Sequence, residues 1–261
     1  MKARPPDKSG VRVLRGCDYG SYQLSLKEWV TYGLMGVGVC GLAAYTFYRS
    51  MAAFAFLFPF GAAYPLYKRR DLKKERLRRL TLQFKEGILI LSSFLGAGYS
   101  MENGLAMSIK ELETLCGADA MITEEFRMLS QGIKMNRPIE LLLEEFGERS
   151  HIQDVNNFAQ VFAAARRSGG ELVEIIGNTA GIIRDKIQVQ EEIYTMTAAR
   201  IFEQKIMDCI PFAIILYIDI TSPGFFKIMY STWAGRGIMT ACLILYIAAV
   251  LLARHILDIE V

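Results

Sequence analysis

Two pairs of uncharged apolar segments bracket a long charged stretch, and this layout leaves the chain few ways to fold. Val30–Tyr48 carries no charge over 19 residues, and Met51–Tyr67 carries none over 17. Cys209–Ile218 and Gly237–Ala253 are apolar again. A membrane-spanning helix takes about 20 apolar residues, with a working range of about 17–25. Hydrophobic residues make up 52% of the 261-residue chain, and the mean hydropathy is +0.24. The expected architecture is an all-α membrane protein in which two transmembrane helical hairpins flank a polar domain. The expected division is a cytosolic N-terminal segment 1–29, a hairpin 30–67, a cytosolic helical domain 68–207, a second hairpin 208–253 and a cytosolic tail 254–261.

Charge is distributed unevenly. Residues 1–29 hold six Lys/Arg against three Asp/Glu, residues 68–86 nine against three, and residues 87–206 eleven against seventeen. The local balances are therefore +3, +6 and −6. The basic clusters lie before and after the first hairpin, whose helices are separated only by Arg49. The excess of Lys and Arg on the cytoplasmic side of membrane proteins then places both termini and the central domain in the cytoplasm. Lys227 and Arg236 fit this less well, because they fall in the outer loop of the second hairpin. The N-terminus does not read as a secretory signal, since its apolar region starts near residue 30 and no cleavage site follows. Five cysteines, none in a CxxC pair, read as reduced structural thiols.

Between the hairpins the apolar spacing is helical throughout, with no alternating strand signal. The expected cytosolic domain is a six-helix bundle. Leu72–Leu95 is the first helix, ended by Gly96-Ala97-Gly98. Ser100 caps a second that runs to about Leu115. Thr123–Met135 is a third. Pro138 opens a fourth at its first turn, running to about Arg149. His151–Arg167 is a fifth, ended by Gly169-Gly170. The sixth begins at Glu171 and has no proline until Pro211. Leu172, Ile176, Thr179, Ile183, Ile187 and Gln190 follow a 3-4 spacing, which makes a long amphipathic helix entering the apolar segment at Cys209.

Catalytic patterns are missing. There is no G-x-x-x-x-G-K-[ST] phosphate loop. His151 and His255 lack ligand-spaced partners, so no metal or cofactor is expected. Gly36-Val37-Gly38-Val39-Cys40-Gly41 matches the dinucleotide fingerprint literally. It lies inside an uncharged helix, however, with no preceding strand, and the next acid is Asp71. Gly33, Gly36, Cys40 and Ala44 instead form a small-residue face suited to close helix packing in the membrane. Asp208 and Asp219 are acids at membrane depth, where ionisable groups are costly and usually functional. Pro211 lies between them. Interface solvation is an equal reading for Asp208 and the preferred one for Asp219.

Four blocks carry a resemblance. They are LTLQFKEGILILSSFLGAGYSMENGLAMSIKEL, IKMNRPIELLLEEFGERS, AARRSGGELVEIIGNTAGIIRDKIQVQEEI, and the C-terminal stretch from Ile206 to Val261. In this order the chain resembles the type II secretion system F domain family from about Leu77 to the C-terminus. The last block is similar to the TadB type of the tight adherence (Tad) branch. Asn136 departs from the glycine that many members carry at that position.

The resemblance implies a non-enzymatic plasma-membrane platform of a bacterial pilus or secretion machine. Such a platform couples a hexameric cytosolic secretion ATPase to prepilin extraction, and pairs with itself or with a related Tad platform protein. Nucleic acid is not an expected partner. Within this frame Arg166, Arg167 and Glu171 are expected to contact the ATPase. Gly33, Gly36, Cys40 and Ala44 are expected to serve membrane packing against a subunit or pilin. Asp208 and Pro211 are expected to meet the pilin. A small transporter or a membrane-anchored sensor or enzyme is the alternative. A transporter would call for polar groups at mid-bilayer and often an internal repeat. An enzyme would call for a catalytic constellation in the central domain.

Overall fold

The computed structural model describes residues 18–21, 24–49, 51–168 and 172–257. Among these the fold is all-helical: α1 Leu26–Tyr48, α2 Met51–Gly96, α3 Met101–Leu115, α4 Met121–Lys134, α5 Ile139–Ser150, α6 Gln153–Ser168, α7 Leu172–Thr221, α8 Lys227–Ser231 and α9 Trp233–Leu257. The chain divides into two compact units. One comprises Met1–Tyr22 and Lys73–Ile187, the other Gln23–Leu72 and Gln188–Val261.

The first unit is built on helix ends that the sequence encodes locally. Ser100 accepts a hydrogen bond from the Asn103 amide at 3.4 Å and starts α3. The Thr123 hydroxyl donates to the Gly117 carbonyl at 3.1 Å, and α4 begins at Met121, two residues earlier than the apolar spacing predicts. Asn136 ends α4 with φ 58°, in the left-handed region that Gly adopts freely and Asn tolerates. An asparagine can therefore take the place of glycine there. Pro138 caps α5 from an extended conformation, ψ 130°, rather than forming its first turn. His151 is likewise outside the helix it was expected to open: with φ 55° it caps the end of α5, and α6 starts at Gln153.

These helices close over one core. Phe84 of α2 stands edge-on to Phe146 and Phe158, with ring centroids 6.0 and 5.8 Å away, and Phe162 adjoins Phe158. Leu105, Leu112, Ile122 and Phe126 surround them. From α7, Ile176, Ala180, Ile183 and Ile187 are buried. The apolar stripe of α7 continues past Ile187, but Met196 there is 77% exposed.

The second unit is the inverse of the first. α1 and Trp233–Ala253 of α9 are long and apolar enough to cross a membrane, yet only 22% and 11% of their apolar windows are buried. Leu34, Phe56, Ile220, Ile244, Leu245 and Leu252 are exposed. A water-soluble unit would not leave so large an apolar surface uncovered, whereas a bilayer solvates it.

Two helices cross between apolar and charged sequence without a break. α2 runs 46 residues and contains Pro59 and Pro65; α7 runs 50 and contains Pro211. The second predicted span, Met51–Tyr67, and the Leu72–Leu95 helix were expected as separate elements. Composition changes at Lys68, but no cap or breaker lies there to stop the backbone hydrogen bonding.

Candidate functional site

A groove between α7 and α9 in the apolar unit brings together the two residues expected to meet a pilin. Arg200, Glu203, Gln204, Met207, Asp208 and Pro211 recur at three- and four-residue intervals and so share one face of α7. Tyr246, Ala249, Val250, Ala253 and Ile256 of α9 form the other wall of a groove of ≈ 580 Å³. Its lining is mostly apolar, with polar groups along α7. Arg200 is paired with Glu203 at 3.2 Å, and among the described residues Asp208 is the charge in the groove lining without an ion-pair partner. The Tyr246 hydroxyl donates to the Asp208 carbonyl at 2.7 Å. Pro211 has no N–H to give the Met207 carbonyl one turn back, so that acceptor is left over as well. The buried side-chain nitrogen of Gln204 has no partner either. The groove therefore offers an aliphatic channel with an acid, a carbonyl and an amide along one side.

Asp219, read as an interface carboxylate, has a partner 170 residues away. It pairs with Arg49, which sits in the left-handed region between α1 and α2. The Arg49 guanidinium lies 5.5 Å from the Tyr45 ring centre and 5.7 Å from that of Tyr230. The Tyr230 hydroxyl in turn donates to the Thr46 carbonyl at 2.7 Å. No local spacing could announce this pair.

The small-residue face of α1 is occupied from within the chain. A Cβ on Gly36 would stand 2.4 Å from the Gly61 carbonyl oxygen of α2 and 2.7 Å from Tyr64 Cβ. Pro65 cannot donate to that carbonyl, being four residues further on, so α1 approaches an oxygen free of its helical bond. Gly33 faces Pro65. Ala44 is buried, and Cys40 is half-buried.

Arg166 and Arg167 end α6 in the first unit, and Glu171 lies outside the described residues. Arg166 is paired with Glu140 at 2.8 Å. Arg167 lines a polar groove with Glu140, Glu144, Glu148, Asn156 and Gln160. The two arginines thus sit at the end of an acidic face and do not form an isolated basic patch.

The sequence reading missed a buried polar centre in the first unit. Glu125 is fully buried, and both its carboxylate oxygens accept from Arg149 at 2.7 Å. The Tyr19 hydroxyl donates to Glu125 Oε1 at 3.0 Å, and the Tyr19 amide donates to the Arg149 carbonyl at 3.0 Å. Burial works against the Arg149 charge, but hydrogen bonding and attraction from Glu125 outweigh it and hold the guanidinium above its ordinary value. Beside Tyr19, Asp18 accepts from the Gly20 amide at 2.9 Å and contacts His151 Nε2 at 3.0 Å. That backbone hydrogen bond chiefly lowers the Asp18 pKa, with His151 assisting and slight burial opposing. Burial, and then the charge of Glu86, pushes the Cys116 thiol up, as in an unreactive cysteine. Among the described residues no cluster of His, Cys, Asp and Glu is placed to hold a metal.

No curated protein and no solved structure matches the chain. The family model of Type II secretion system (T2SS), protein F matches residues 88–218, half of the chain. That span runs from the core end of α2 through α3–α6 and along α7 to within three residues of its end. With two candidate membrane helices outside that span, the chain is an inner-membrane protein and belongs to the type II secretion system protein F family.

Proposed function

We propose that this protein is the non-enzymatic platform of a Tad-type pilus machine, which passes force from a cytosolic ATPase to prepilins in the membrane. The observation that carries the reading is the continuity of α7. Its first four turns bury Ile176, Ala180, Ile183 and Ile187 in the helical core, and the same helix supplies Arg200 through Pro211 to the groove. At about 1.5 Å per residue its 50 residues amount to roughly 75 Å of helix measured along its own path. A displacement imposed on the core end is delivered along such a rod, because stretching it would break backbone hydrogen bonds in series. Without a phosphate loop the chain must take its energy from a partner. Arg166, Arg167 and Glu171 are the proposed ATPase contact. The α7/α9 groove is the proposed prepilin contact, with Asp208 facing the free amine of a mature pilin and the aliphatic walls facing its apolar helix.

The test is to interrupt the helix at an exposed position. Met196 is exposed and lies between the core stripe and the groove. Met196→Pro costs about 3 kcal/mol locally and should abolish piliation while membrane insertion and bundle stability persist. Normal piliation in that variant would refute force transmission through α7.

A further inference from the structure

One of the two positive charges that fit the topology least well, Lys227, lines a pocket. Arg49, Asp219, Gly224, Phe226, Lys227, Tyr230 and Ser231 line a cavity of ≈ 350 Å³ in the apolar unit. Each charge nearby is accounted for except one. Arg49 is paired with Asp219. Arg236 is turned to the backbone and donates to the Tyr230 carbonyl at 2.9 Å. Lys227 is exposed and has no ion-pair partner among the described residues. The pocket therefore carries one net positive charge, with the Tyr230 and Ser231 hydroxyls in its wall. Around it lie amphipathic and apolar side chains open to the outside: Tyr217 at 68% exposure, Phe225 at 66% and Trp233 at 87%. Exposed Trp and Tyr beside a span are the composition of a membrane–water interface.

We propose that this pocket binds the headgroup of an anionic phospholipid. Lys227 pairs with the phosphate, the spare N–H groups of Arg49 donate to its oxygens, and the acyl chains lie along the uncovered faces of α7 and α9. A headgroup is the fitting occupant because the cation stands where apolar helix ends meet an aromatic rim, and a lipid satisfies both at once. A single lysine at an anionic surface contributes about a fivefold preference. The site explains why Lys227 is tolerated in a loop where positive charge is disfavoured. All of its lining residues lie outside the span that the family model matches. The proposal rests on the membrane placement of the apolar unit and is independent of force transmission.

The two tryptophans make the site measurable. In a Trp29→Phe background the fluorescence of Trp233 reports on its neighbouring lipid. The full-length protein is reconstituted in vesicles containing brominated phosphatidylglycerol or brominated phosphatidylcholine, and quenching is titrated. The expected result is a preference of about fivefold for the anionic lipid, lost in Lys227→Gln and kept in Lys227→Arg. Equal quenching by the two lipids overturns the proposal, and so does a preference that survives Lys227→Gln. Relief of quenching by inorganic phosphate would assign the pocket to a free anion and overturn the lipid. Failure of the protein to incorporate into vesicles would overturn the membrane placement, and the proposal with it.

Discussion

Among single residues, Glu125 carries the highest stakes. A carboxylate that has lost water entirely is tolerable only while its acceptor sites are filled. Here Arg149 fills two of them and Tyr19 another. Tyr19→Phe keeps the ring in its slot and removes one donor, at a cost of about 1–3 kcal/mol. Glu125→Ala strands the Arg149 guanidinium and costs about 3 kcal/mol or more, toward the lower end because Arg149 is 23% exposed. Both values are readable from denaturant unfolding of the full chain in detergent, and Glu125→Ala should be the more damaging. The reverse order would mean that the tyrosine, and not the ion pair, holds this corner together. Asn136 teaches the opposite lesson at the same scale. Its left-handed conformation is one of the few backbone demands that a single residue type announces.

For helices, the decisive contact is the α1–α2 crossing in the apolar unit. A methyl on Gly36 would meet the Gly61 backbone oxygen and the Tyr64 Cβ, neither of which moves with a rotamer change. Gly36→Ala should push the helices apart and destabilise the purified protein by about 1–3 kcal/mol, whereas Gly38→Ala should be silent because nothing lies within 4 Å of its Cβ position. Thermal unfolding of the two variants in detergent separates them. Equal effects would show that the small residues serve contact with another chain and not this crossing. Among the described residues the existence of every helix but α8 was legible, because the apolar periodicity and the caps at Ser100 and Asn136 are local. Helix limits were less so. Tyr67 and Lys68 look like a boundary in composition, yet α2 continues through them. His151 looks like a helix start, yet it takes a left-handed cap.

For the whole molecule, the question is what reaches a partner. Arg166 is committed to Glu140, while Arg167 opens toward the acidic α5–α6 groove. Arg167→Glu should therefore weaken ATPase binding more than Arg166→Glu, by about tenfold if one charge-assisted contact of 1.5 kcal/mol or so is lost. A pull-down with the cognate ATPase reads this directly. Binding unchanged in the double variant would remove the site. The proposed contacts on α6 and in the α7/α9 groove would then have to be judged apart, since the first lies in the helical core unit and the second in the apolar one.

The sequence by itself determined the helical class and the two kinds of surface. Each of these is a property of spacing, composition or local capping that needs no distant neighbour. Only the tertiary structure decided which charges are paired. Arg49 and Asp219 are 170 residues apart, and Tyr19 and Glu125 are 106 apart. Ion pairs and buried hydrogen bonds across such separations leave no periodic trace along the chain. They exist because folding removes particular polar groups from solvent and requires each to find whatever partner the packing brings within reach.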